Sequence, residues 1–229
     1  MLVFPFGDDN VKGGYFPLFT YIFLAINVLV FLYEIQLSEP ALASFFHNFG
    51  TIPAEITEGH DTHTLLTNMF LHGGWAHLIG NMLFLWIFAD NIEALMGSPR
   101  FFIFYILGGL AASFGHIWFN WDSTIPAVGA SGAIAAVMGA YFVLFPQSRI
   151  KMLFIIFPFT VPAILFLGFW IFSQVSSGVA GLAVETAETA GVAWWAHIIG
   201  FAFGVLTGFY WRMQGALEGS YFEKREVYV

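Results

Sequence analysis

Residues 126–140 read Pro-Ala-Val-Gly-Ala-Ser-Gly-Ala-Ile-Ala-Ala-Val-Met-Gly-Ala, and we expect the rest of the chain to be arranged around this stretch. Nearly all of its residues are small, which predicts a helix that neighbouring membrane helices can approach closely. Gly129 and Gly132 flank Ser131, and such glycines allow a tight turn and the approach of a substrate carbonyl to the serine N–H. The alternative is a packing helix whose serine bonds a carbonyl one turn back.

The composition predicts the solvent of the protein. Hydrophobic residues make up 59% of the 229 residues and charged residues 10%. Soluble domains average about 45–50% apolar and about 25% charged residues. We therefore expect an integral membrane protein in contact with a lipid bilayer. The net charge of −8 argues against nucleic acid as a partner, and without cysteine no disulfide can form.

Runs of about 20 apolar residues predict six membrane spans, because a helix needs about that length to cross the hydrocarbon core. We place them near residues 17–36, 75–95, 101–119, 130–146, 159–176 and 193–212. All seven Lys and Arg residues fall on one side of this arrangement. The positive-inside rule then predicts that both termini are cytoplasmic. The expected organisation is a short cytoplasmic N-terminus (1–16), one six-span domain (17–212) and a short cytoplasmic tail (213–229).

Three connections carry further expectations. The first outer loop, residues 38–74, is long, and its apolar segment 41–49 suits a position in the membrane interface. Residues 150–157 are apolar and are ended by Pro158 and Pro162, so we interpret them as an interfacial lead into the fifth span. Residues 177–191 are small and acidic, the composition of a mobile cap.

Polar side chains inside the spans are costly, so each is a functional candidate. Counted at roughly 1.5 Å per residue from the basic ends of the spans, five of them fall at one depth. They are Ser131, His197, His77, Asn81 and His116. A layer at this depth is dry enough to strengthen electrostatic interactions and still close to water. The alternative is that these groups are polar contacts that pack the bundle.

The spacing of the polar residues suggests roles. His77 and Asn81 are four residues apart and therefore share one helix face, while His72 lies at the mouth of the second span. In the sixth span, Ala196, Gly200, Gly204 and Gly208 recur at every fourth position and predict a groove against the small-residue helix. His197 lies beside that groove, which makes it a candidate general base. Depth alone does not separate it from His116.

Three motifs on alternate spans resemble those of the rhomboid family of intramembrane serine proteases. They are His72-x4-His77-x3-Asn81, Gly129-Ala130-Ser131-Gly132 and Ala196-His197-x2-Gly200-x3-Gly204, and the resemblance extends over residues 17–212. It implies an all-α membrane protein, a six-transmembrane-helix rhomboid-like bundle with a long, partly interfacial first outer loop. We expect a location in a prokaryotic plasma membrane.

The resemblance also implies the roles of individual residues. Ser131 would be the nucleophile and His197 its base, without cofactor or metal. The oxyanion would be stabilised by His77, Asn81 and the Ser131 N–H. Supporting roles would fall to His72, Gly129, Gly132, Gly200 and Gly204.

The chain departs from the family pattern in two places. Some members carry a Trp-Arg pair in the first outer loop, and residues 38–74 have none. Some have an aromatic residue one turn after the serine that stacks on the histidine ring, and here that position is Ala135. The sequence therefore leaves open what anchors the loop and what holds His197.

The expected function is cleavage of transmembrane protein substrates near their outer end, with helix-weakening residues at the cut. The main alternative is a non-catalytic rhomboid-like protein that binds or escorts membrane proteins. A metalloprotease would need His-Glu-x2-His, which His72 and His77 do not form. A transporter would be expected to show broken helices or paired halves, and the chain shows neither. The sequence does not indicate an oligomeric state.

Overall fold

The computed structural model describes residues 3–9, 15–183 and 193–218 of the chain. This part is mostly helical. Its helices are α1 (Leu18–Glu34), α2 (Glu39–Phe49), α3 (Pro53–Thr57), α4 (Thr64–Thr67), a 3-10 turn (Asn68–Phe70), α5 (Trp75–Met96), α6 (Ser98–Phe119), α7 (Ser131–Leu144), α8 (Ala163–Ala183) and α9 (Trp194–Glu218). Its strands are β1 (Val3–Gly7), β2 (Arg149–Phe154) and β3 (Phe157–Pro162).

Each predicted span contains one long helix, namely α1 or one of α5 to α9. Within the described residues, three of these helices, α5, α6 and α8, are long and apolar enough to cross a membrane, while α1 and α7 are shorter apolar helices. The chain therefore has the character of a helical membrane protein.

The small-residue helix α7 lies at the centre of the bundle. Every residue from Gly132 to Tyr141 is buried, and α5, α6, α8 and α9 all pack against the helix. Small side chains make this possible because four neighbouring helices must fit around one axis. The stretch expected to organise the chain thus occupies its core.

The closest packing in the bundle is between α7 and α9. A Cβ added at Gly200 would overlap the carbonyl oxygen of Gly132, and one added at Gly204 would overlap that of Ala136. Only glycine allows backbones to approach this closely. The predicted groove therefore exists, and it holds the first turns of α7 and α9 side by side.

The bundle has two distinct ends. Residues 37–74 lie at the loop end, where α1 ends near His72 and α5 begins. The three strands lie at the sheet end, where α1 begins beside the last turn of α5. There the Glu93 carboxylate accepts hydrogen bonds from the N–H groups of Phe19 (2.9 Å) and Thr20 (2.7 Å) and from the Thr20 hydroxyl (2.8 Å). Neighbouring helices α1 and α5 are thus antiparallel.

The sheet corrects the interpretation of the connection after α7. Residues 149–162 form an antiparallel hairpin, and β2 lies between β1 and β3. Pro158 and Pro162, which indicated the start of a membrane helix, belong to the edge strand β3, where a missing N–H is tolerated. The fifth span was predicted from residue 159, but α8 begins only at Ala163. The ladder with β2 supplies the backbone hydrogen bonds that a helix would otherwise have provided.

Other boundaries differ more modestly. Residues 177–183 of the predicted cap continue α8, and residues 213–218 of the predicted tail continue α9. The remainder of the cap and of the tail lies outside the described residues. In the first loop, α2 has no buried residue, so the segment 41–49 lies on the surface of the protein.

The sheet is tied to the bundle through Asp8, which follows β1 and is 4% exposed. Its carboxylate accepts hydrogen bonds from Asn91 Nδ2 on α5 (2.7 Å) and from the Tyr141 hydroxyl on α7. Lys151 Nζ on β2 donates to the Asp8 backbone carbonyl (2.5 Å). Desolvation by burial raises the Asp8 pKa to about 8, and the nearby Asp90 acts in the same direction against these donors.

Replacing Gly200 tests the close helix contact. We expect Gly200→Val to lower the unfolding free energy by about 1–3 kcal/mol, the usual cost of overpacking, because the added methyls must push α9 away from α7. Gly80→Val on α5 is the matched control, since a Cβ there meets nothing within 4 Å. Thermal unfolding in detergent gives the comparison, and equal melting temperatures for the two variants would contradict the assignment.

Asp8 predicts a pH dependence of stability. Its folded pKa of about 8 lies above the ordinary aspartate value of 3.8, so the folded protein retains a proton that the unfolded chain releases. This contribution is complete below about pH 4 and is lost as the pH rises through about 8. Between about pH 5 and about pH 9 the melting temperature of Asp8→Asn should therefore fall less than that of the wild type. The control is Asp122→Asn in an exposed loop, whose melting temperature should change with pH as that of the wild type does. The same pH dependence in Asp8→Asn as in the wild type would contradict the contribution of Asp8.

Candidate active site

Ser131 and His197 meet at the loop end of the bundle. Ser131 is the first residue of α7 and His197 is the fourth residue of α9, and both are half-buried. The distance between His197 Nε2 and Ser131 Oγ is 2.8 Å, a hydrogen bond. His116 lies nearby, but its ring nitrogen Nδ1 is 3.3 Å from Asn120 Nδ2 instead. Of the two histidines that depth could not separate, His197 is the one bonded to the serine.

The His197 ring is held by side chains that the sequence analysis did not identify. Its Nδ1 is 2.8 Å from Oε1 of Gln174 on α8. The Trp170 ring lies 5.8 Å from the imidazole, centroid to centroid, and the Trp194 ring lies 6.4 Å away at nearly a right angle. These two rings provide the aromatic contacts to His197 that an aromatic residue at position 135 provides in some family members. An amide side chain inside an apolar span was the available signal for Gln174.

His77 and Asn81 approach the backbone just before Ser131. Gly129 has a φ of +131°, and a Cβ there would lie 2.7 Å from His77 Nε2 and 3.7 Å from Asn81 Nδ2. Glycine is therefore required at this position both by the backbone conformation and by the space. Gly132, on the far side of Ser131, packs against Ala112 of α6, whose Cβ would be 2.5 Å from an added Cβ.

His72 connects the oxyanion candidates to α1. Its Nε2 is 3.0 Å from Asn81 Nδ2, so the segment just before α5 supplies a polar neighbour for the amide. The His72 backbone N–H donates to both carboxylate oxygens of Glu34 (3.2 and 3.3 Å). Glu34 is the last residue of α1 and is 1% exposed. Its role was not predicted from the sequence, although an acidic residue at the end of an apolar run was the signal.

Asn68 anchors the first loop without a Trp-Arg pair. Its side-chain amide donates to Thr51 Oγ1 (2.7 Å) and to Ser113 Oγ on α6 (3.3 Å). Its backbone carbonyl accepts from the Gly129 N–H (2.8 Å). Thr51 and Ala127 add a pair of backbone hydrogen bonds of 3.0 and 2.8 Å. The loop is thus fastened to the segment that presents Ser131.

A cavity of about 30 Å³ lies beside Ser131. Its lining includes the polar side chains of Asn68, Ser113 and His116. A site of this size with several polar partners can hold a water molecule. In the part of the chain that the structure describes, no group of three or more His, Cys, Asp or Glu is placed to bind a metal.

Known proteins related to this chain carry rhomboid names. Rhomboid protein 1, mitochondrial, of Saccharomyces cerevisiae is 29% identical over 197 residues, which are 83% of this chain and 52% of that protein. Rhomboid protease GluP of Bacillus subtilis is 36% identical over 125 residues, 54% of this chain and 24% of that protein. The human presenilin-associated rhomboid-like protein, mitochondrial, is 29% identical over 155 residues, 62% and 36% of the two chains. The chain thus spans about half, or less, of the length of these relatives.

These names correct the predicted location. A prokaryotic plasma membrane was expected, but the yeast and human relatives, and a similar protein of Arabidopsis thaliana, are mitochondrial proteins by name. A prokaryotic origin is therefore not supported, whereas an integral membrane protein is.

The family itself follows from a match over most of the chain. The family model for the Rhomboid domain matches residues 59–214, more than half of the 229 residues. This range includes the motifs on α5, α7 and α9 and the hydrogen-bonded pair that they bring together. The chain belongs to the rhomboid family.

Proposed function

We propose that this chain is an intramembrane serine endopeptidase that cleaves membrane-spanning segments of other proteins. The observation that carries the proposal is the 2.8 Å hydrogen bond between His197 Nε2 and Ser131 Oγ inside a largely apolar bundle. A serine hydroxyl is a weak nucleophile until an adjacent base accepts its proton. A relative named as a rhomboid protease supports the same reaction.

The reaction would proceed in two halves. Ser131 Oγ attacks the scissile carbonyl carbon while His197 Nε2 takes the hydroxyl proton, and a tetrahedral oxyanion forms. The carbon–nitrogen bond then breaks, and the imidazolium gives its proton to the leaving amine. Water attacks the resulting acyl-enzyme with His197 again as the base, and this step releases the new carboxyl end and free Ser131.

The oxyanion would lie between the start of α7 and the His77–Asn81 face of α5. Ser131 is the first residue of α7, and N–H groups in the first turn of a helix have no acceptor within that helix. The helix dipole also favours negative charge at this end. Asn81 Nδ2 and His77 Nε2 both lie near Gly129, two residues before the serine, and could donate to the same oxygen.

Water for the second half would come from the cavity beside Ser131. Its polar lining offers hydrogen bonds, so a water molecule could be held there before it reacts, and the helices would not need to separate to admit it. His116 and Ser113 would then hold water in place rather than take part in proton transfer.

The membrane arrangement of the enzyme is part of the proposal. We infer that six helices, α1 and α5 to α9, form one domain that spans the bilayer over residues 17–212. The active site then lies below the loop end, and a substrate helix must unwind there because its carbonyls are otherwise hydrogen-bonded internally. We expect cleavage near the loop-side end of substrates that carry Gly or Pro at that depth.

The alternative is a non-catalytic rhomboid-like protein that binds or escorts membrane proteins. Some relatives are named only as rhomboid-like. A protein that only binds membrane proteins does not need a serine hydroxyl hydrogen-bonded to a histidine inside the bundle. The protease is therefore the better supported function.

The two proposed catalytic residues are tested by single substitutions. We expect Ser131→Ala and His197→Ala each to retain less than about a hundredth of the wild-type turnover of a membrane-spanning substrate. The reason is that removing one member of a catalytic unit costs nearly as much activity as removing the whole unit. Ser131→Ala should also abolish labelling by a fluorophosphonate. Ser176→Ala and His60→Ala, both exposed, are the matched controls. His116→Ala should retain more activity than His197→Ala. A folded wild-type protein that neither cleaves nor labels would favour the alternative function.

Replacing Asn81 distinguishes a role in stabilising the transition state from a role in helix packing. If its amide donates to the oxyanion, Asn81→Ala should lower kcat by about 10²–10³-fold, the loss typical of one such donor, while Ser131 remains reactive towards the fluorophosphonate. Asn48→Ala, on the exposed helix α2, is the control. The measurement is kcat per folded molecule together with the melting temperature. A lower melting temperature with unchanged kcat would remove Asn81 from the site.

A further inference from the structure

We propose that Gln174 is a positioning residue, which holds His197 in the one neutral tautomer that can accept the Ser131 proton. This inference rests on the proposed function of the Ser131–His197 pair. It gives an uncharged amide on α8 the part that a carboxylate plays in a Ser-His-Asp triad.

The need for such a residue follows from the chemistry of imidazole. In the neutral ring one nitrogen carries a proton and the other can accept one. Nε2 faces the Ser131 hydroxyl, so it must be the unprotonated nitrogen if His197 is to act as the base. Nδ1 must then carry the proton and donate it to an acceptor. The Gln174 side chain lies 2.8 Å from Nδ1 and is 7% exposed.

The neighbours of Gln174 determine which end of its amide faces His197. The other end of the amide, Nε2, is 3.1 Å from Ser173 Oγ. Ser173 Oγ in turn donates its single proton to the Trp170 carbonyl oxygen, at 2.6 Å. Towards Gln174 the hydroxyl can therefore only accept, so the amide nitrogen must face Ser173. Oε1 is left to face His197.

The result is a chain of hydrogen bonds in which every direction is set. It begins at the Trp170 carbonyl and passes through Ser173 and Gln174 to the imidazole and then to Ser131. Reversing the amide would place its N–H against Nδ1, and the ring proton would move to the nitrogen that faces the serine. In a triad, replacing the aspartate by asparagine has this effect and costs about 10⁴-fold in kcat.

An amide suits this location better than a carboxylate would. A charge inside the bilayer is costly, and so is the burial of an unpaired carboxylate. An amide whose direction is fixed by neighbours provides the same acceptor without that cost. The device therefore depends on Ser173 and Trp170 as well as on Gln174.

The test compares an apolar with an acceptor-bearing replacement. Gln174→Leu should lower kcat by about 10–100-fold, less than the 10²–10⁴-fold that general base catalysis supplies in total, with KM and melting temperature close to those of the wild type. Gln174→Glu keeps an acceptor oxygen at Nδ1 and should keep kcat per folded molecule within about threefold of the wild type, while the cost of the buried carboxyl should lower the melting temperature. Ser173→Ala frees the amide to turn and should give an intermediate loss. Gln36→Leu, an exposed glutamine beyond α1, is the control and should behave as the wild type.

A second measurement reads the tautomer without any turnover. Nitrogen-15 NMR of histidine-labelled protein should show His197 protonated at Nδ1 in the wild type, and a mixture of tautomers in Gln174→Leu. The inference is overturned by a wild-type ring protonated at Nε2, by an unchanged tautomer or an unchanged kcat in Gln174→Leu, or by a loss that Gln174→Glu does not repair. The proposed function fails separately, if the wild-type protein neither cleaves a membrane-spanning substrate nor labels at Ser131.

Discussion

The contact on which the site depends is the glycine seam between α7 and α9. The backbones meet where Gly200 faces the Gly132 carbonyl and Gly204 faces that of Ala136, with no room for a Cβ. His197 is three residues before Gly200, and Ser131 directly precedes Gly132, so these two side chains project from the same seam. Because helices are stiff, a separation increased by one methyl group would exceed the reach of the 2.8 Å hydrogen bond.

The polar groups around Ser131 and His197 come from other parts of the bundle and are linked to one another by hydrogen bonds. Glu34 of α1 accepts from the His72 backbone, His72 contacts Asn81, and Asn68 fastens the loop to Gly129. Buried polar groups in a low-dielectric interior must be paired, so such a network leaves each side chain few alternatives. The site can therefore keep its geometry although most of the surrounding surface is apolar.

The sequence predicted what depends on local pattern and missed what depends on distant partners. The approximate positions of the long helices and the α7–α9 groove follow from apolar length and glycine spacing. The sheet does not, because β2 lies between its hairpin partner β3 and the distant strand β1 at the start of the described residues. From the sequence alone, a proline in an edge strand such as Pro158 looks the same as a proline at a helix boundary. Gln174 and Glu34 were missed because nothing in their own spans shows which group each one meets. The prediction of a prokaryotic plasma membrane was wrong because composition and charge do not indicate the kind of cell or organelle in which a membrane lies.

In the proposed mechanism, the two requirements of the base His197 would be met by two different interfaces. The distance from His197 to Ser131 depends on the tightly packed α7–α9 seam, whereas the proposed tautomer would depend on Gln174 of α8. Only 22% of the most apolar part of α8 is buried inside the protein, against 61% for α5, so α8 is held by fewer neighbours. A displacement of α8 would leave the nucleophile and the base at hydrogen-bond distance and would still remove the acceptor from Nδ1. Under the proposed mechanism, the position of α8 would therefore control whether a correctly placed His197 can act as the base.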